Sequence, residues 1–304
     1  MKRVVVVGAG ASGIISSIFA SKNSEVIVLE RNNVPLKKLL LTGNGKCNYF
    51  NDNQSINNYN STNIDLIEKI ITENNLNSVL DFFDKIGIVP KIKNGYYYPY
   101  SGLSNSIKEA LLKEAKLNNV EIRTDYLVKE IKKENNKFII NNEIECDYVI
   151  LSTGSKAYPK TGSDGIGYEI LKQFGHKIIK VLPALTSLIG EENYFNDWSG
   201  IRCDAKVSLY ENDKFIKEEI GELQLTKTGV SGICIFNLSS MLRRGLDKGN
   251  KEDIIINFLP FVNDIEKFLV DRNNKVKNRT IIELLEGLIN YKVLKIILKK
   301  SNVR

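Results

Sequence analysis

Three glycines near the start of the chain, Gly8, Gly10 and Gly13, have the G-x-G-x-x-G spacing of a dinucleotide-binding turn. In such a turn the first glycine permits the tight bend, the second lets the backbone approach a pyrophosphate, and the third lets the helix pack closely on the strand. Ala11 and Ser12 lie between them, where the first N–H groups of a helix can bind phosphate. This stretch therefore predicts a dinucleotide site.

A carboxylate, Glu30, ends the next apolar run, about 20 residues after the glycines. At that place a carboxylate can accept hydrogen bonds from both hydroxyls of an adenosine ribose, whereas it repels a 2′-phosphate. The spacing therefore disfavours NADP at this site. The alternative interpretation is an ordinary βαβ unit whose glycine turn binds nothing.

The elements that must position these groups form one βαβ unit. The β-branched run Val4–Val7 predicts a strand buried on both faces, residues 11–21 a helix, and Val26–Leu29 a second buried strand. Ligands of such units bind beyond the carboxyl ends of the strands. The loop of residues 31–48, which follows the second strand, is therefore expected to lie beside the ligand.

Three stretches together, GAGASG, VLERN and KKLLLTGNGKCN, resemble the BaiN/YhiN-like family of FAD-dependent oxidoreductases, which includes aminoacetone-oxidase-like proteins. Lys46 stands where the family has arginine, so the charge is kept but a bidentate contact is lost. The resemblance implies an α/β fold with a Rossmann-like FAD/NAD(P)-binding domain, a β-meander, and an inserted β-barrel-like and helical domain.

A second buried strand pattern, residues 147–154, ends in Thr153-Gly154. In two-segment flavoproteins such a strand presents its backbone to the pyrophosphate and ribose side of the cofactor, and Val128 lies where these folds bring backbone groups to the adenine. These features favour FAD over NAD as the tightly held nucleotide. The residues that we predict to bind FAD are Gly8, Gly10, Ala11, Ser12, Gly13, Glu30, Arg31, Lys38, Thr42, Gly43, Gly45, Lys46, Cys47, Asn48, Val128, Thr153, Gly154, Thr161 and Gly162.

The sequence does not assign a catalytic acid or base; the candidates near the flavin ring are Lys46, Cys47 and Tyr98. Cys47 suggests redox chemistry, with a packing or backbone-contact role as the alternative. Tyr98 belongs to GYYYPYSG, residues 95–102, where a tyrosine facing the substrate competes with tyrosines packed at a sheet edge. His176, the only histidine, follows a helix-ending glycine, where a structural hydrogen bond is expected, with a general-acid role as the alternative.

Two domains are predicted, residues 1–186 for FAD binding and residues 187–304 as the inserted domain, β-rich over 187–260 and helical over 261–304. Ser101 or Ser104 is expected to cap a helix over 103–117, and Thr280 to cap another. The other predicted helices cover residues 64–71, 76–86, 168–174, 235–244, 261–270, 280–288 and 291–299. The other predicted strands cover residues 120–124, 127–132, 137–140, 204–210, 214–219, 222–226 and 254–258.

Composition limits the class of protein. The chain has 304 residues, 42% hydrophobic and 26% charged, as in globular proteins. Its four cysteines lie far apart without a CxxC pair, which argues against a zinc site and a disulfide framework, so no metal is expected. No signal peptide or membrane-length apolar run is present, and a cytoplasmic location is expected.

The net charge of +7 allows anionic partners, but the sequence shows neither an aromatic RNA-binding motif nor a contiguous basic patch, so nucleic acid is not expected as a partner. The resemblance implies hydride transfer through the flavin to or from a small organic substrate, with NADH or NADPH as electron donor. It also implies that a C-terminal segment of the FAD domain is missing from this chain. The alternatives are an RNA-binding flavin-fold protein and an inactive fragment. Substrate, donor preference and oligomeric state are not predicted.

Overall fold

The computed structural model describes residues 1–73 and 75–302. Contacts divide the chain into two compact units, Met1–Ile179 and a second unit that begins at Lys180. The predicted domain boundary, after residue 186, falls shortly beyond that point. No helix among the described residues is long and apolar enough to cross a membrane.

The first unit contains ten strands and five helices in its described part. Its strands are β1 (Lys2–Val7), β2 (Ser24–Leu29), β3 (Phe50–Asn51), β4 (Pro90–Lys93), β5 (Tyr96–Pro99), β6 (Glu121–Arg123), β7 (Ile131–Glu134), β8 (Lys137–Ile140), β9 (Ile144–Cys146) and β10 (Tyr148–Leu151). Its helices are α1 (Ala11–Ala20), α2 (Ile64–Glu73), α3 (Leu76–Lys85), α4 (Ser104–Leu117) and α5 (Ile166–Gln173). Short 3-10 turns lie at Leu39–Gly45, Ile56–Asn58 and Pro159–Thr161.

A four-stranded parallel sheet, in the order β10-β1-β2-β6, organises this unit. Strand β1 is buried on both faces because successive side chains enter different cores. Val4 and Val6 pack in a core shared with α1, α3 and α4, whereas Val5 and Val7 pack against α5 and the β7-β8-β9 meander. The predicted Rossmann-like domain with a β-meander is confirmed.

Two local predictions for this unit are wrong. A strand was expected from residue 127, but β7 begins at Ile131, because the Asn141 side chain bonds the backbone of Leu127, Lys129 and Glu130 in place of a neighbouring strand. Neither predicted serine caps α4. The cap position is Leu103, which makes no side-chain cap bond, and the Ser104 hydroxyl donates instead to the Leu40 carbonyl.

The second unit has an antiparallel sheet in the order β11-β14-β13-β12-β15. Its strands are β11 (Leu188–Ile189), β12 (Arg202–Glu211), β13 (Lys214–Thr226), β14 (Gly229–Gly232) and β15 (Glu252–Asn257). Its helices are α6 (Phe195–Trp198), α7 (Ile233–Asp247), α8 (Ile265–Lys275), α9 (Ile281–Leu285) and α10 (Tyr291–Lys300). Side chains of α7 and of the central strands share one core.

One prediction for the second unit, on its strands, is wrong, and another, on a helix cap, is confirmed. Residues 214–226 form one strand rather than the two predicted over 214–219 and 222–226, because Gly221 stays extended and pairs with Ala205. The predicted cap at Thr280 is confirmed, since Thr280 and Glu283 form a reciprocal capping box at the start of α9.

A pair of carboxyl groups lies inside the second unit. Glu211 of β12 and Glu252 of β15 are direct cross-strand neighbours, and both face Gly245 of α7, where a Cβ would lie 1.5 Å from Glu252 Oε1. Both Glu252 oxygens are buried without a hydrogen-bond partner among the described residues. Burial, followed by the charge of Glu211, raises the pKa of Glu252 to about 7. A proton on Glu252 would supply the missing hydrogen bond.

Candidate functional site

A cavity of about 570 Å³ lies in the first unit at the carboxyl ends of β1, β2 and β10. Residues that directly follow these strands line it, including Gly8, Glu30 and Ser152. This volume is within the usual range for a small-molecule or cofactor site. The edge of the sheet is also the place where ligands of doubly wound folds bind.

The glycine turn opens the backbone toward this cavity. Gly8 has a φ of +102° and packs so closely that a Cβ would lie 2.5 Å from the Ser152 carbonyl oxygen. At Gly10 no described atom lies within 4 Å of a Cβ position, and the exposed residues Ala11 and Ser12 follow on the cavity wall. The first N–H groups of a helix have no intrahelical partner, so this wall can bind an anion.

Glu30 is a buried carboxylate on the same wall. Its Oε2 accepts a hydrogen bond from the Ala9 N–H at 2.8 Å, and its Oε1 accepts from the backbone and side-chain nitrogens of Asn32 at 2.8 and 2.6 Å. These bonds hold the carboxylate in one position. Since an ionised carboxylate has about four acceptor sites, it can still accept from ligand hydroxyls.

The loop after β2 meets the loop after β10 along the cavity. The Lys38 ammonium donates to the Ala157 carbonyl and to the Ser163 hydroxyl, each at 2.8 Å. Arg31 forms an ion pair with Asp164. Both side chains lie on the cavity wall, but Asp164 balances the charge of Arg31, so the net positive charge of these two contacts comes from Lys38.

Most of the predicted FAD-binding residues line the cavity, although they come from distant parts of the sequence. Those on the wall are Gly8, Gly10, Ala11, Ser12, Glu30, Arg31, Lys38, Thr42, Cys47, Asn48, Val128, Thr153, Gly154, Thr161 and Gly162. Those that do not line the cavity are Gly13, Gly43, Gly45, Lys46 and, among the catalytic candidates, Tyr98. Gly13 has a packing role, since a Cβ there would lie 1.9 Å from the Gly8 carbonyl oxygen.

Cys47 is the catalytic candidate that the structure places on the wall. It is buried at a positive φ of +58°. Burial raises the pKa of its thiol, and a hydrogen bond with Thr42 only partly offsets this. Because the thiolate is the reactive form, a protonated buried thiol favours the packing role over redox chemistry.

The sequence interpretation missed an apolar end of the cavity, where side chains of α1, α3 and α4 form the wall. They include Ile15, Val79, Phe83 and Leu111. Tyr49 joins them, with its ring centroid 4.4 Å from that of Phe83. Helical periodicity predicts that these residues are buried, but it does not show that they face a cavity.

The Tyr49 hydroxyl is buried and has no hydrogen-bond partner among the described residues. Burial, and then its neighbours Tyr97 and Cys47, raise the pKa of Tyr49 to about 12. The phenol is therefore neutral at physiological pH. Cys47 and Tyr49 therefore bring polar atoms to the apolar end of the cavity but no charge.

Comparison with known proteins agrees with this geometry. Residues 2–246 match the family described as HI0933-like protein Rossmann domain. A 3-dehydro-bile acid delta(4,6)-reductase of Clostridium scindens is 32% identical over 312 residues, which cover 100% of this chain and 76% of that protein. A ribosomal RNA dihydrouridine synthase of Escherichia coli is 24% identical over 284 residues, covering 91% and 68%.

Among solved structures, the 3-ketosteroid-delta4-(5alpha)-dehydrogenase of Rhodococcus jostii is similar with a TM-score of 0.38 and 16% identity, over 52% of this chain and 47% of that one. The family match spans most of the chain, and the 32% identity extends over all of it. The family that the glycine, Glu30 and GNGKCN motifs predict is confirmed: the chain belongs to the HI0933-like family of Rossmann-domain proteins.

Proposed function

We propose that this protein is an FAD-dependent oxidoreductase that reduces a carbon–carbon double bond conjugated to a carbonyl group. The observation that carries the proposal is one cavity with two different ends. One end has the open helix N-terminus after Gly10 and the fixed Glu30 carboxylate; the other end is apolar. Family membership and the reductase relative support the same class of enzyme.

The donor set fits FAD. The N–H groups at the start of α1 would hold the pyrophosphate, because they have no helix partner and Gly10 leaves room for close approach. Glu30 would accept from the adenosine ribose, and Val128 lies on the wall at the predicted adenine side. Lys38, whose partners in the chain are neutral, would balance phosphate charge. FAD, once bound, supplies two-electron chemistry at its ring.

The chain's own residues shape the environment of that chemistry. Phe83 and Leu111 exclude water from the apolar end, and the neutral Cys47 and Tyr49 keep charge out of it. Low polarity strengthens every electrostatic contact that a bound substrate makes there. This arrangement suits an uncharged ring system with one or two carbonyl groups.

The relatives' names support the proposed reaction type. A delta(4,6)-reductase and a dihydrouridine synthase both bear names of carbon–carbon double-bond reductions, although one name specifies a bile acid and the other ribosomal RNA. For this chain we favour a small organic substrate, because of the apolar end. NADH or NADPH as electron donor and a cytoplasmic location belong to the same proposal; the four unpaired cysteines fit a reducing compartment.

The proposal is tested with the purified protein. We expect a flavin absorbance spectrum, or saturable uptake of added FAD, followed by oxidation of NADH or NADPH that depends on an added 4-en-3-one steroid. Glu30→Gln should weaken FAD binding about tenfold, as expected for the loss of a hydrogen bond to a charged group. Glu25→Gln, at an exposed carboxylate on the same strand, is the matched control. A protein that takes up no FAD contradicts the proposal.

A further inference from the structure

Four large apolar side chains of the first unit are exposed on segments that lie side by side. The Tyr100 N–H, just after β5, donates to the Val89 carbonyl, just before β4, at 2.8 Å, so the hairpin pairing continues through these two residues. Leu103 directly precedes α4, whose first residue bonds through its hydroxyl to the Leu40 carbonyl. This bond places the loop that carries Leu41 beside the start of α4. We call these four residues the apolar patch: Val89, Tyr100, Leu103 and Leu41.

The apolar patch is open to solvent. The exposed fractions of its side chains are 59% for Val89, 69% for Tyr100, 60% for Leu103 and 53% for Leu41. None of these four residues lines the cavity, so their exposure has no part in the proposed FAD site. Contiguous exposed apolar side chains mark sites of contact with a protein or a membrane.

Lysines lie beside the apolar patch. Lys91 and Lys93 alternate along the strand with Val89 as the starting point, so they share its face of the hairpin, and both are exposed. Lys91 Nζ lies 5.8 Å from the centroid of the Tyr100 ring. Lys46, which ends the 3-10 turn of the patch, is also exposed. The apolar surface therefore has positive charge at its margin.

We propose that the apolar patch docks this protein on the surface of a bilayer that contains anionic lipids. The aliphatic side chains and the Tyr100 ring would enter the boundary between headgroups and acyl chains, where tyrosine is favoured. Lysine stems can lie along apolar surface while their ammonium groups reach lipid phosphates. The net charge of +7 favours approach to the same surface. A protein partner matches the patch less well, because protein interfaces are depleted of lysine.

This inference goes beyond the proposed function, because it requires neither FAD nor electron transfer. It concerns contact with a bilayer surface, since no helix among the described residues is long and apolar enough to cross a membrane. The full chain is tested by sedimentation with vesicles of phosphatidylcholine, alone or mixed with phosphatidylglycerol. We expect the wild type to sediment with the mixed vesicles. High salt should weaken this binding without abolishing it, because salt screens the lysines but not the apolar contacts.

Leu103→Ser tests the apolar contribution without loss of folding. Leu103 is the N-cap residue of α4 and makes no side-chain cap bond, whereas serine is a preferred N-cap residue. The variant should therefore melt no lower than the wild type, while its affinity for the mixed vesicles falls roughly tenfold. The matched control is Leu117→Ser, at a leucine of 67% exposure at the other end of α4, which should change the affinity less than about twofold.

Lys91→Gln/Lys93→Gln tests the charge contribution and should weaken binding at low salt about thirtyfold. The matched control is Lys132→Gln/Lys133→Gln on the β7–β8 hairpin, which removes the same charge and should change the affinity less than about threefold. Thermal melting of each variant verifies folding.

Three results would overturn the proposal. The first is a wild-type chain that does not bind the mixed vesicles at low salt. The second is a Leu103→Ser variant that binds like the wild type, or a control variant that loses as much affinity as its patch counterpart. The third is a dimer, measured by sedimentation without lipid, that Leu103→Ser dissociates, because a second copy of the chain would then cover the apolar patch.

Discussion

The carboxyl pair of the second unit makes the stability of that unit depend on pH, and Glu252→Gln should remove this dependence. The pKa of Glu252 is about 7 in the folded chain, above the ordinary glutamate value of 4.5. A group whose pKa is raised on folding stabilises the protein fully below its unfolded pKa, and this contribution is lost as pH rises through the folded pKa. The wild-type unit should therefore lose stability between about pH 4.5 and pH 8.

The size of the effect follows from the same two pKa values. Their difference corresponds to about 3 kcal/mol in the free energy of unfolding. Partial exposure of the Glu252 side chain permits solvent screening, which reduces the expected value to about 2 kcal/mol. Glutamine stays neutral at every pH, and its amide could donate to Glu211 as a protonated Glu252 would. Near pH 8 the variant should therefore melt about 8 °C above the wild type.

Fluorescence of Trp198 measures this directly, since it is the chain's one tryptophan and is buried in the second unit. Melting curves are recorded near pH 5 and pH 8 for wild type, Glu252→Gln and the control Glu286→Gln, an exposed carboxyl at the end of α9. The control should follow the wild type at both pH values. If Glu252→Gln melts at or below the wild-type temperature near pH 8, the raised pKa of Glu252 in the folded chain is wrong.

Three further outcomes are expected in the first unit. Gly13→Ala should destabilise it by about 3 kcal/mol in thermal melting, because the added Cβ meets the Gly8 carbonyl, whereas Gly10→Ala should retain the wild-type melting temperature. Lys38→Met removes two bonds to the facing loop and should speed release of bound FAD about tenfold in a fluorescence dilution assay. Cys47→Ala should retain NAD(P)H-linked turnover within about threefold; abolished turnover with FAD still bound would restore the redox role.

The elements of the FAD-type site could be predicted wherever local patterns determine the structure. Val4–Val7, the glycine turn and Glu30 belong to one βαβ unit within the first 30 residues, so their spacing alone places them together. Residues 214–226 form one strand where two were predicted, because a glycine can break a strand or continue it, and only the pairing of Gly221 with Ala205 distinguishes the two. The strand predicted from residue 127 was wrong for a similar reason: Asn141, which is distant in sequence, forms hydrogen bonds with the backbone of Leu127 and Lys129 that a neighbouring strand would otherwise form.

The apolar end of the cavity could not be predicted from the sequence for another reason. Val79, Phe83 and Leu111 show the periodicity of ordinary core residues, and only tertiary packing leaves space between them. Features that depend on register or on packing voids carry no local pattern.

The hydrogen bonds of Glu30 have a consequence for how quickly the cavity accepts a ligand. Ala9 and Asn32 fix this carboxylate from both sides before any nucleotide arrives. Because the Glu30 carboxylate is already ordered, a nucleotide that binds it causes a smaller loss of conformational entropy than it would with a mobile acceptor. Binding at this end should therefore resemble the docking of two rigid bodies, with an association rate set mainly by diffusion and orientation.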